Sequence, residues 1–313
     1  MFDTSSMALE RFIGTPTAQS KALSDLGEAE LRRVTLKALL ERDLVFLNRL
    51  LESYLHLQGR GGSAHTLRSY QKSVLLFFAD APFGVLQARR DDSTLYLRAL
   101  EARGLKASSV KVRLAGLRAF YAALIWAGAT RENPFASARA RRDTQDAAHK
   151  RKPYSKDELE RILQVAEPQE GLLITLLAHG GLRISEALGL EGRDVLLTEG
   201  RLRVRHGKGN KERLVALSPR LSALLGSRSL SGPLFSWNDQ AARYRMRKLC
   251  LRADVNSRNR MFHSLRHYCG TELMRRTRNL TLVKEHLGHA SVNTAALYAK
   301  LVSEDLDQAL KDF

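Results

Sequence analysis

Four short stretches in the second half of the chain carry side chains suited to chemistry at a phosphate. "GGLRISE" holds Arg183 and Glu186, and "GKGNKER" holds Lys208 at a glycine-bounded turn. "HSLRH" and "LGHASVNTAALY" follow, and the reactive side chains in them are His263, Arg266, His289 and Tyr298. The combined set is rich in cations, contains one phenol, and includes no HExxH spacing of the kind that binds zinc.

This set of side chains fits metal-free phosphoryl transfer. An arginine fork binds two phosphate oxygens and stays cationic, so two arginines can take the place of a metal ion. A tyrosine hydroxyl can attack phosphorus and keep the bond as a phosphotyrosyl ester. A nearby histidine can accept or orient the phenolic proton, and a lysine can protonate the departing alkoxide. His263 and Arg266 are three residues apart on a predicted helix, so both can face one cleft.

None of the four stretches is diagnostic alone. An arginine three residues before a glutamate can be an ordinary helical ion pair. "GKGNKE" can be a solvated hairpin turn, and a tyrosine at helical spacing usually packs in a core. All four occur together and in this order, which indicates one site. Gly180 and Gly181 before Arg183 also indicate close backbone packing at that point.

The composition predicts a polyanionic partner. The 313 residues include 51 Lys and Arg against 33 Asp and Glu, giving a net charge of +18. Such an excess predicts binding to nucleic acid or to an acidic membrane surface. No apolar run approaches the roughly 20 residues that would span a bilayer, and the N-terminal residues lack the layout of a secretory signal. Two cysteines are too few for a disulfide framework. We therefore expect a cytoplasmic protein that binds nucleic acid.

Most of the chain has the apolar periodicity of helices. Residues 1 to 42 are weakly patterned and are predicted to form an N-terminal extension. Residues 43 to 138 are predicted to form a helical domain, residues 139 to 152 a basic linker, and residues 153 to 313 the domain with the four stretches. A strand alternation over residues 200 to 217, with "GKGN" as its turn, predicts a hairpin.

Two helices have clear signatures in their apolar spacing or at their first turn. The first helical domain contains the stretch "SSVKVRLAGLRAFYAALIWAG", in which Val110, Leu114, Leu117, Tyr121 and Leu124 form a predicted buried stripe. In the second domain, a serine followed three residues later by a glutamate in "YSKDELERIL" predicts a capping box that starts a helix.

Basic side chains outside the catalytic set are candidates for contacts with DNA phosphates. They lie beside the apolar stripes, in the linker and after the hairpin turn: Arg68, Lys72, Lys111, Arg113, Arg118, Arg141, Arg142 and Lys211. A solvated helix face would carry the same charges, so both interpretations stay open.

The ordered motifs resemble those of the tyrosine recombinase (phage integrase) family, most closely its Xer-type bacterial members. The resemblance covers about residues 43 to 310. It implies a mainly α fold, with an N-terminal helical, SAM-like core-binding domain and a C-terminal mixed α+β catalytic domain that contains a small antiparallel sheet. The implied roles are charge stabilisation by Arg183, Arg266 and His289, general-acid catalysis by Lys208, proton acceptance by His263, nucleophilic attack by Tyr298 and support of Arg183 by Glu186.

The resemblance also implies an activity and partners. The activity is site-specific recombination of double-stranded DNA through a 3′-phosphotyrosyl intermediate, without a metal or another cofactor. Chromosome dimer resolution or a related Xer-type strand exchange follows from the closest members. The implied partners are double-stranded DNA, a tetramer formed with identical or related subunits on two DNA sites, and a DNA translocase as a candidate activator.

Three other functions compete with this interpretation of the motifs. A type IB topoisomerase shares the tyrosine and arginine chemistry but reseals within one duplex. A phage or transposon integrase would carry the same motifs. A DNA-binding protein with a decayed site is disfavoured, because every catalytic position is filled. The chain has Cys269 and Gly270 where the family usually has small alanine-like residues, and we predict that Cys269 is buried.

Overall fold

The computed structural model of the chain describes residues 16–59, 63–141, 152–205, 212–228, 230–258, 260–288 and 298–299. The chain divides into two compact units, Met1–Thr144 and Gln145–Phe313, each with its own hydrophobic core. Both units are mainly helical, as the sequence predicts. None of the helices within these described ranges is long and apolar enough to cross a membrane.

The regular secondary structure of the first unit, over its described residues, consists of helices. They are α1 (Pro16–Ser24), α2 (Glu28–Leu40), α3 (Leu44–Leu57), α4 (Ala64–Asp80), α5 (Arg90–Ala102) and α6 (Ala107–Trp126). Helices α4 and α6 pack against each other. The predicted stripe of α6 is buried, from Val110 at its start to Leu124 near its end. This burial confirms the apolar periodicity as a core pattern.

The residues before position 43 contribute to the core of the first unit. Leu23 in α1 and Leu31 in α2 are buried, and they belong to the same apolar cluster as Val74 and Leu117. The pattern of these two helices is weak because only a few of their side chains face the core.

The second unit combines helices with one small sheet. Its helices are α7 (Lys156–Gln164), α8 (Pro168–Ala178), α9 (Ile184–Leu188), α10 (Pro219–Gly226), α11 (Asp239–Arg252), α12 (Phe262–Thr277) and α13 (Leu280–Leu287). Its strands are β1 (Val195–Leu196), β2 (Arg201–Val204) and β3 (Arg213–Ala216). The predicted capping box starts α7, where Ser155 Oγ accepts from the Glu158 amide at 3.1 Å and the Glu158 carboxylate accepts from the Ser155 amide at 2.8 Å.

The sheet confirms the predicted hairpin and extends it. The strand order is β1-β2-β3, and both pairings are antiparallel. Leu202 pairs with Val215, and both side chains are buried. Strand β1 was not predicted, because two residues are too few to show an alternation. Residues 206–211, which include the predicted turn, lie outside the described part of the chain.

Helices α8, α12 and α13 surround the motifs of the second unit. Helix α12 packs against both α8 and α13. After α8 ends, the chain turns through Gly181, whose φ is +63°. A Cβ atom at Gly181 would collide with Leu287 of α13 and Cys269 of α12. The close packing predicted from the two glycines is therefore confirmed, and Cys269 is buried as expected.

Candidate active site

Arg183 lies at the first turn of α9, immediately after the glycine turn. It is the N-cap residue of the helix, with extended backbone angles, and its side chain is 23% exposed. Its Nη1 donates to Glu186 Oε1 at 2.6 Å, and its Nη2 donates to the carbonyl oxygen of Gly288 at 3.4 Å. The guanidinium is thus held by one carboxylate and one carbonyl but keeps an accessible surface.

Glu186 is the buried acceptor in this part of the site. Its side chain is 2% exposed, and each of its two carboxylate oxygens accepts two hydrogen bonds. Two come from Arg183, through the backbone amide and Nη1, and two come from Nη1 and Nη2 of Arg213. Burial raises the pKa of this carboxyl, but the hydrogen bonds and charges of Arg213 and Arg183 outweigh it and lower the pKa from 4.5 to about 2. Glu186 is therefore a carboxylate at neutral pH.

Arg213 is the residue that the motif analysis missed. It is the first residue of β3, and its side chain is 12% exposed. Strand alternation was the signal available in the sequence, because Arg213 lies two residues before buried Val215 and so shares its face.

Arg266 approaches the same region from α12. It is buried, and its guanidinium donates to the carbonyl oxygens of Gly181 and, at 2.6 Å, Leu287. Burial and the neighbouring charge of Arg183 lower the pKa of Arg266 to about 10, so it is still cationic at neutral pH. Arg266 is predicted to face a cleft from its helix, and in the structure it faces the interior of the unit and is 3% exposed.

The three arginines converge on the C-terminal end of α13. Arg266 binds the carbonyl of Leu287, and Arg183 binds that of Gly288. The side chain of Arg213 covers the Cα of Gly288, because a Cβ built there would lie 2.8 Å from Arg213 Cδ and 2.9 Å from Nε. Three guanidiniums against the one carboxylate of Glu186, which binds Arg183 and Arg213, leave this region with an excess of positive charge that suits an anion such as a phosphodiester.

Tyr298 packs into the same region as the two predicted arginines. It is 1% exposed and belongs to a small apolar cluster with Cys269 and Leu287. Its ring fills the space over Gly270, where a Cβ would lie 2.5 Å from ring atoms. Burial raises the pKa of the phenol to about 12, although the charges of Arg266 and Arg183 act in the opposite direction.

Two histidine rings continue from Tyr298 along α12. The ring centroid of His267 lies 5.7 Å from that of Tyr298 and 5.8 Å from that of His263. His263, the predicted proton acceptor, is exposed at the start of the helix. His267 was not predicted as a site residue, although its position four residues after His263 places both on one helix face.

Several predicted site residues lie outside the described residues. They are Lys208, His289, Arg142 and Lys211. Their assigned roles therefore stay predictions. Within the described part of the chain, no three His, Cys, Asp or Glu side chains form a group that could hold a metal ion.

The remaining DNA-contact candidates fall into two groups. Arg68, Lys72 and Lys111 are exposed on α4 and α6, and Arg141 is exposed with a 3.1 Å ion pair to Glu101.

Arg113 and Arg118, in contrast, are engaged inside the first unit. Buried Arg113 donates to Asp80 at 3.0 Å and to the Tyr96 hydroxyl at 3.1 Å. Arg118 donates to the carbonyl oxygens of residues 135, 136 and 138. These contacts already hold both guanidiniums within the unit, and the assignment of the two arginines as DNA contacts stays a prediction.

Known protein families and relatives match most of the described chain. The model of the phage integrase family matches residues 153–304, and the model of the phage integrase N-terminal SAM-like domain matches residues 51–128. Tyrosine recombinase XerC of Xylella fastidiosa (strain 9a5c) is 32% identical over 275 residues, which cover 80% of this chain and 90% of the relative.

Two solved structures share the fold at lower identity. The XerH site-specific recombinase bound to palindromic difH substrate, in a post-cleavage complex, aligns with a TM-score of 0.63 and 18% identity over 90% of this chain and 94% of that one. A lambda integrase (75-356) dimer bound to a COC′ core site aligns with a TM-score of 0.64 and 17% identity over 84% and 94%. The predicted SAM-like domain and the mixed α+β domain with its small sheet are thus confirmed. The chain belongs to the phage integrase family, the tyrosine recombinases, which are enzymes that cut and rejoin DNA strands.

Proposed function

We propose that this chain is a site-specific DNA recombinase that cuts and rejoins duplex DNA through a 3′-phosphotyrosyl intermediate. One observation carries the proposal: Arg183, Arg266 and Tyr298 come from separate segments and meet around residues 287 and 288. A phenol beside two guanidiniums supplies a nucleophile together with two binding groups for one phosphodiester.

In the cleavage step, the Tyr298 oxygen bonds to the scissile phosphorus while the bond from phosphorus to the 5′-oxygen breaks. His263 accepts the phenolic proton, and Lys208 donates a proton to the leaving 5′-oxygen. A base is needed because the pKa of Tyr298, raised to about 12, keeps the phenol protonated at neutral pH. A 5′-hydroxyl from a second duplex then attacks the ester, which restores the phosphodiester and releases Tyr298 without ATP.

The cations stabilise the charge that develops on phosphorus. Arg183, Arg266 and His289 contact the non-bridging oxygens, and Glu186 supports Arg183. Arginines in comparable positions of other phosphoryl-transfer enzymes contribute roughly 10³–10⁵-fold to the rate. None of these steps uses a metal or another cofactor.

The biological role that we propose is Xer-type strand exchange in the cytoplasm, in chromosome dimer resolution or a related reaction. The XerC relative and the XerH complex with difH support the Xer-type assignment, and the lambda integrase dimer on its core site supports self-association. Exchange between two sites calls for a tetramer of identical or related subunits, and a DNA translocase is a candidate activator.

Both units bind DNA in this proposal, and the second unit also carries the catalytic residues. Residues 43 to 138 are the core-binding domain, whose core is completed by α1 and α2 of the N-terminal extension. Residues 139 to 152 are a basic linker, and residues 153 to 313 are the catalytic domain. The exposed candidates Arg68, Lys72, Lys111 and Arg141 contact phosphates. Because phosphate contacts release counterions, affinity falls steeply as salt rises.

Capture of covalent adducts tests the proposal. The protein is incubated with sheared, nicked bacterial DNA, and adducts that survive detergent are isolated and sequenced, with Tyr298→Phe in parallel. We expect adducts that share a sequence and that disappear in the variant, because the phenyl ring packs alike but has no nucleophile. Adducts that persist in Tyr298→Phe contradict the assignment of the nucleophile.

Strand exchange separates a recombinase from a type IB topoisomerase. Two labelled duplexes that carry the captured sequence are mixed with the protein. Recombinant products support the proposal, whereas relaxation of supercoils without exchange supports a topoisomerase.

A further inference from the structure

Arg213 has no place in the proposed chemical steps, yet it is built into the site. It donates from both Nη atoms to the two oxygens of Glu186, at 3.1 Å and 2.8 Å. The same two oxygens hold Arg183, through its Nη1 at 2.6 Å and its backbone amide at 2.8 Å. Each oxygen of one buried carboxylate is therefore shared between the two arginines.

We infer that Arg213 is a positioning residue, which fixes Glu186 and, through Glu186, holds the guanidinium of Arg183 in the orientation that meets the phosphate. This inference rests on the proposed function and deepens it. Arg213 would act on the rate without touching the substrate, and its partner in the reaction is Arg183.

The geometry of the carboxylate explains why an arginine is needed at position 213. Arg183 alone reaches one carboxylate oxygen through its guanidinium and the other through its own backbone amide, so a turn of the carboxylate about its last bond would move the guanidinium with it. The planar fork of Arg213 contacts both oxygens at once and removes that rotation. A lysine supplies the same charge from one point, so it would leave the carboxylate free to turn.

Gly288 gives Arg213 a second fixed contact. The Arg213 side chain lies over Gly288 so closely that a Cβ there would come within 2.8–3.1 Å of three of its atoms. Arg183 donates to the carbonyl oxygen of this same glycine at 3.4 Å. Arg213 and Arg183 therefore share two partners, Glu186 and Gly288, which couples the orientation of one to the other.

The test compares Arg213→Lys with a matched control, Arg205→Lys. Arg205 directly follows β2 and also binds carboxylates, with Nε 2.8 Å from Asp194 and Nη2 3.1 Å from Glu191. Neither of these carboxylates contacts Arg183 in the described hydrogen bonds, so Arg205 is a control for loss of an arginine fork in the same sheet.

Single-turnover adduct formation is measured on a duplex of the captured sequence, nicked so that the short leaving strand diffuses away. We expect Arg213→Lys to slow the reaction on the order of 100-fold, as for a misplaced catalytic group. Arg205→Lys should stay within about threefold of the parent protein. Equal losses in the two variants contradict the inference and indicate a general effect on the sheet.

A sulfur substrate identifies the step on which Arg213 acts. When sulfur replaces the bridging 5′-oxygen, the leaving group needs no proton, so a defect in Lys208 is bypassed. We expect the Arg213→Lys defect to persist on this substrate, because charge stabilisation by Arg183 is still needed. Recovery of the rate would show that Arg213 acts through the hairpin lysine, and would overturn the inference.

A double variant tests the path through Glu186. If Arg213 acts only through this carboxylate, Glu186→Gln and Arg213→Lys should each slow the reaction, and the combination should be no slower than the slower single variant. Multiplied effects would show an independent role for Arg213.

A measurement without DNA separates this inference from the proposed function. In ¹⁵N-arginine-labelled protein, the Nη–H signals of Arg183, assigned with Arg183→Lys, are resolved when rotation of the guanidinium is slow. We expect Arg213→Lys, but not Arg205→Lys, to merge or broaden them. If the Arg183 signals are unchanged in Arg213→Lys, the positioning role is contradicted, whether or not the parent protein forms adducts. If these signals merge or broaden but the parent protein forms no adducts, only the proposed activity is contradicted.

Discussion

Glu186→Gln is expected to destabilise the second unit by about 3 kcal/mol near pH 7. The pKa of Glu186 is lowered from 4.5 to about 2 on folding, and each pKa unit corresponds to about 1.4 kcal/mol. The side chain is 2% exposed, so solvent screening does not reduce this value much. Removal of one member of a buried ion pair independently costs roughly 3–5 kcal/mol, which agrees in size.

The pH dependence of this difference follows from its sign. The folded state holds the Glu186 proton less tightly than the unfolded chain, so the stabilisation is present above pH 4.5 and disappears as the pH falls towards about 2. The glutamine side chain does not titrate. The difference between the two proteins should therefore shrink to about 1 kcal/mol near pH 3.

The assay uses the position of the two tryptophans. Trp126 lies in the first unit and Trp237 in the second, so Trp126→Phe makes Trp237 the reporter of the second unit. The ring of Trp237 packs 5.7 Å from Phe235, and the Arg245 guanidinium lies 4.5 Å above it, so its fluorescence should change on unfolding. Urea unfolding of the full chain in this background, with and without Glu186→Gln, gives the difference at each pH.

Two results would refute this reasoning. One is a difference below about 1 kcal/mol near pH 7, which would mean that the hydrogen bonds to Glu186 do not offset its burial. The other is a difference that stays constant from neutral to acidic pH, since it would show that the folded and unfolded states bind the Glu186 proton equally.

Three further predictions test the surroundings of the site and the first unit. Gly270→Ala should reduce adduct formation at least about tenfold, because its Cβ would displace the ring of Tyr298, the proposed nucleophile, whereas Gly226→Ala, with open space around it, should have little effect. The Cys269 thiol should stay unmodified by a disulfide reagent at about pH 8 until denaturant is added, because burial raises its pKa to about 12; modification of the folded protein would contradict this. Arg113→Ala should destabilise the first unit by about 3 kcal/mol, measured from Trp126 fluorescence, while exposed Lys111→Ala on the same helix should stay within about 0.5 kcal/mol. Equal values would show that the buried ion pair contributes nothing.

Local patterns in the sequence were sufficient for the elements with a clear periodicity, cap or turn and for the principal candidate residues. The apolar stripe of α6, the capping box of α7 and the hairpin of β2 and β3 depend on neighbours within a few residues, so they were predictable. The chemistry of the motifs likewise depends on residue type, which is why the set of arginines, histidines and one tyrosine indicated phosphoryl transfer before any contact was known.

Charge alone did not distinguish an exposed basic side chain from a buried one. Arg113 and Lys111 are two residues apart and equally basic in the sequence, yet Arg113 is buried on Asp80 and Lys111 is exposed. The difference depends on where α4 and α6 meet, and that packing is set by contacts between residues more than thirty positions apart.

By itself, the sequence determined the helical and strand patterns, the polyanionic class of the partner and the candidates for the reacting groups. Tertiary structure alone decided that Arg213 shares the carboxylate of Glu186, that Tyr298 is buried over Gly270, and that the arginines meet at the end of α13. The physical reason is the separation along the chain between the residues that interact. Helix periodicity and capping are determined within one or two turns, whereas these contacts join residues 21 to 105 positions apart and form only when α8, α12, α13 and β3 pack together.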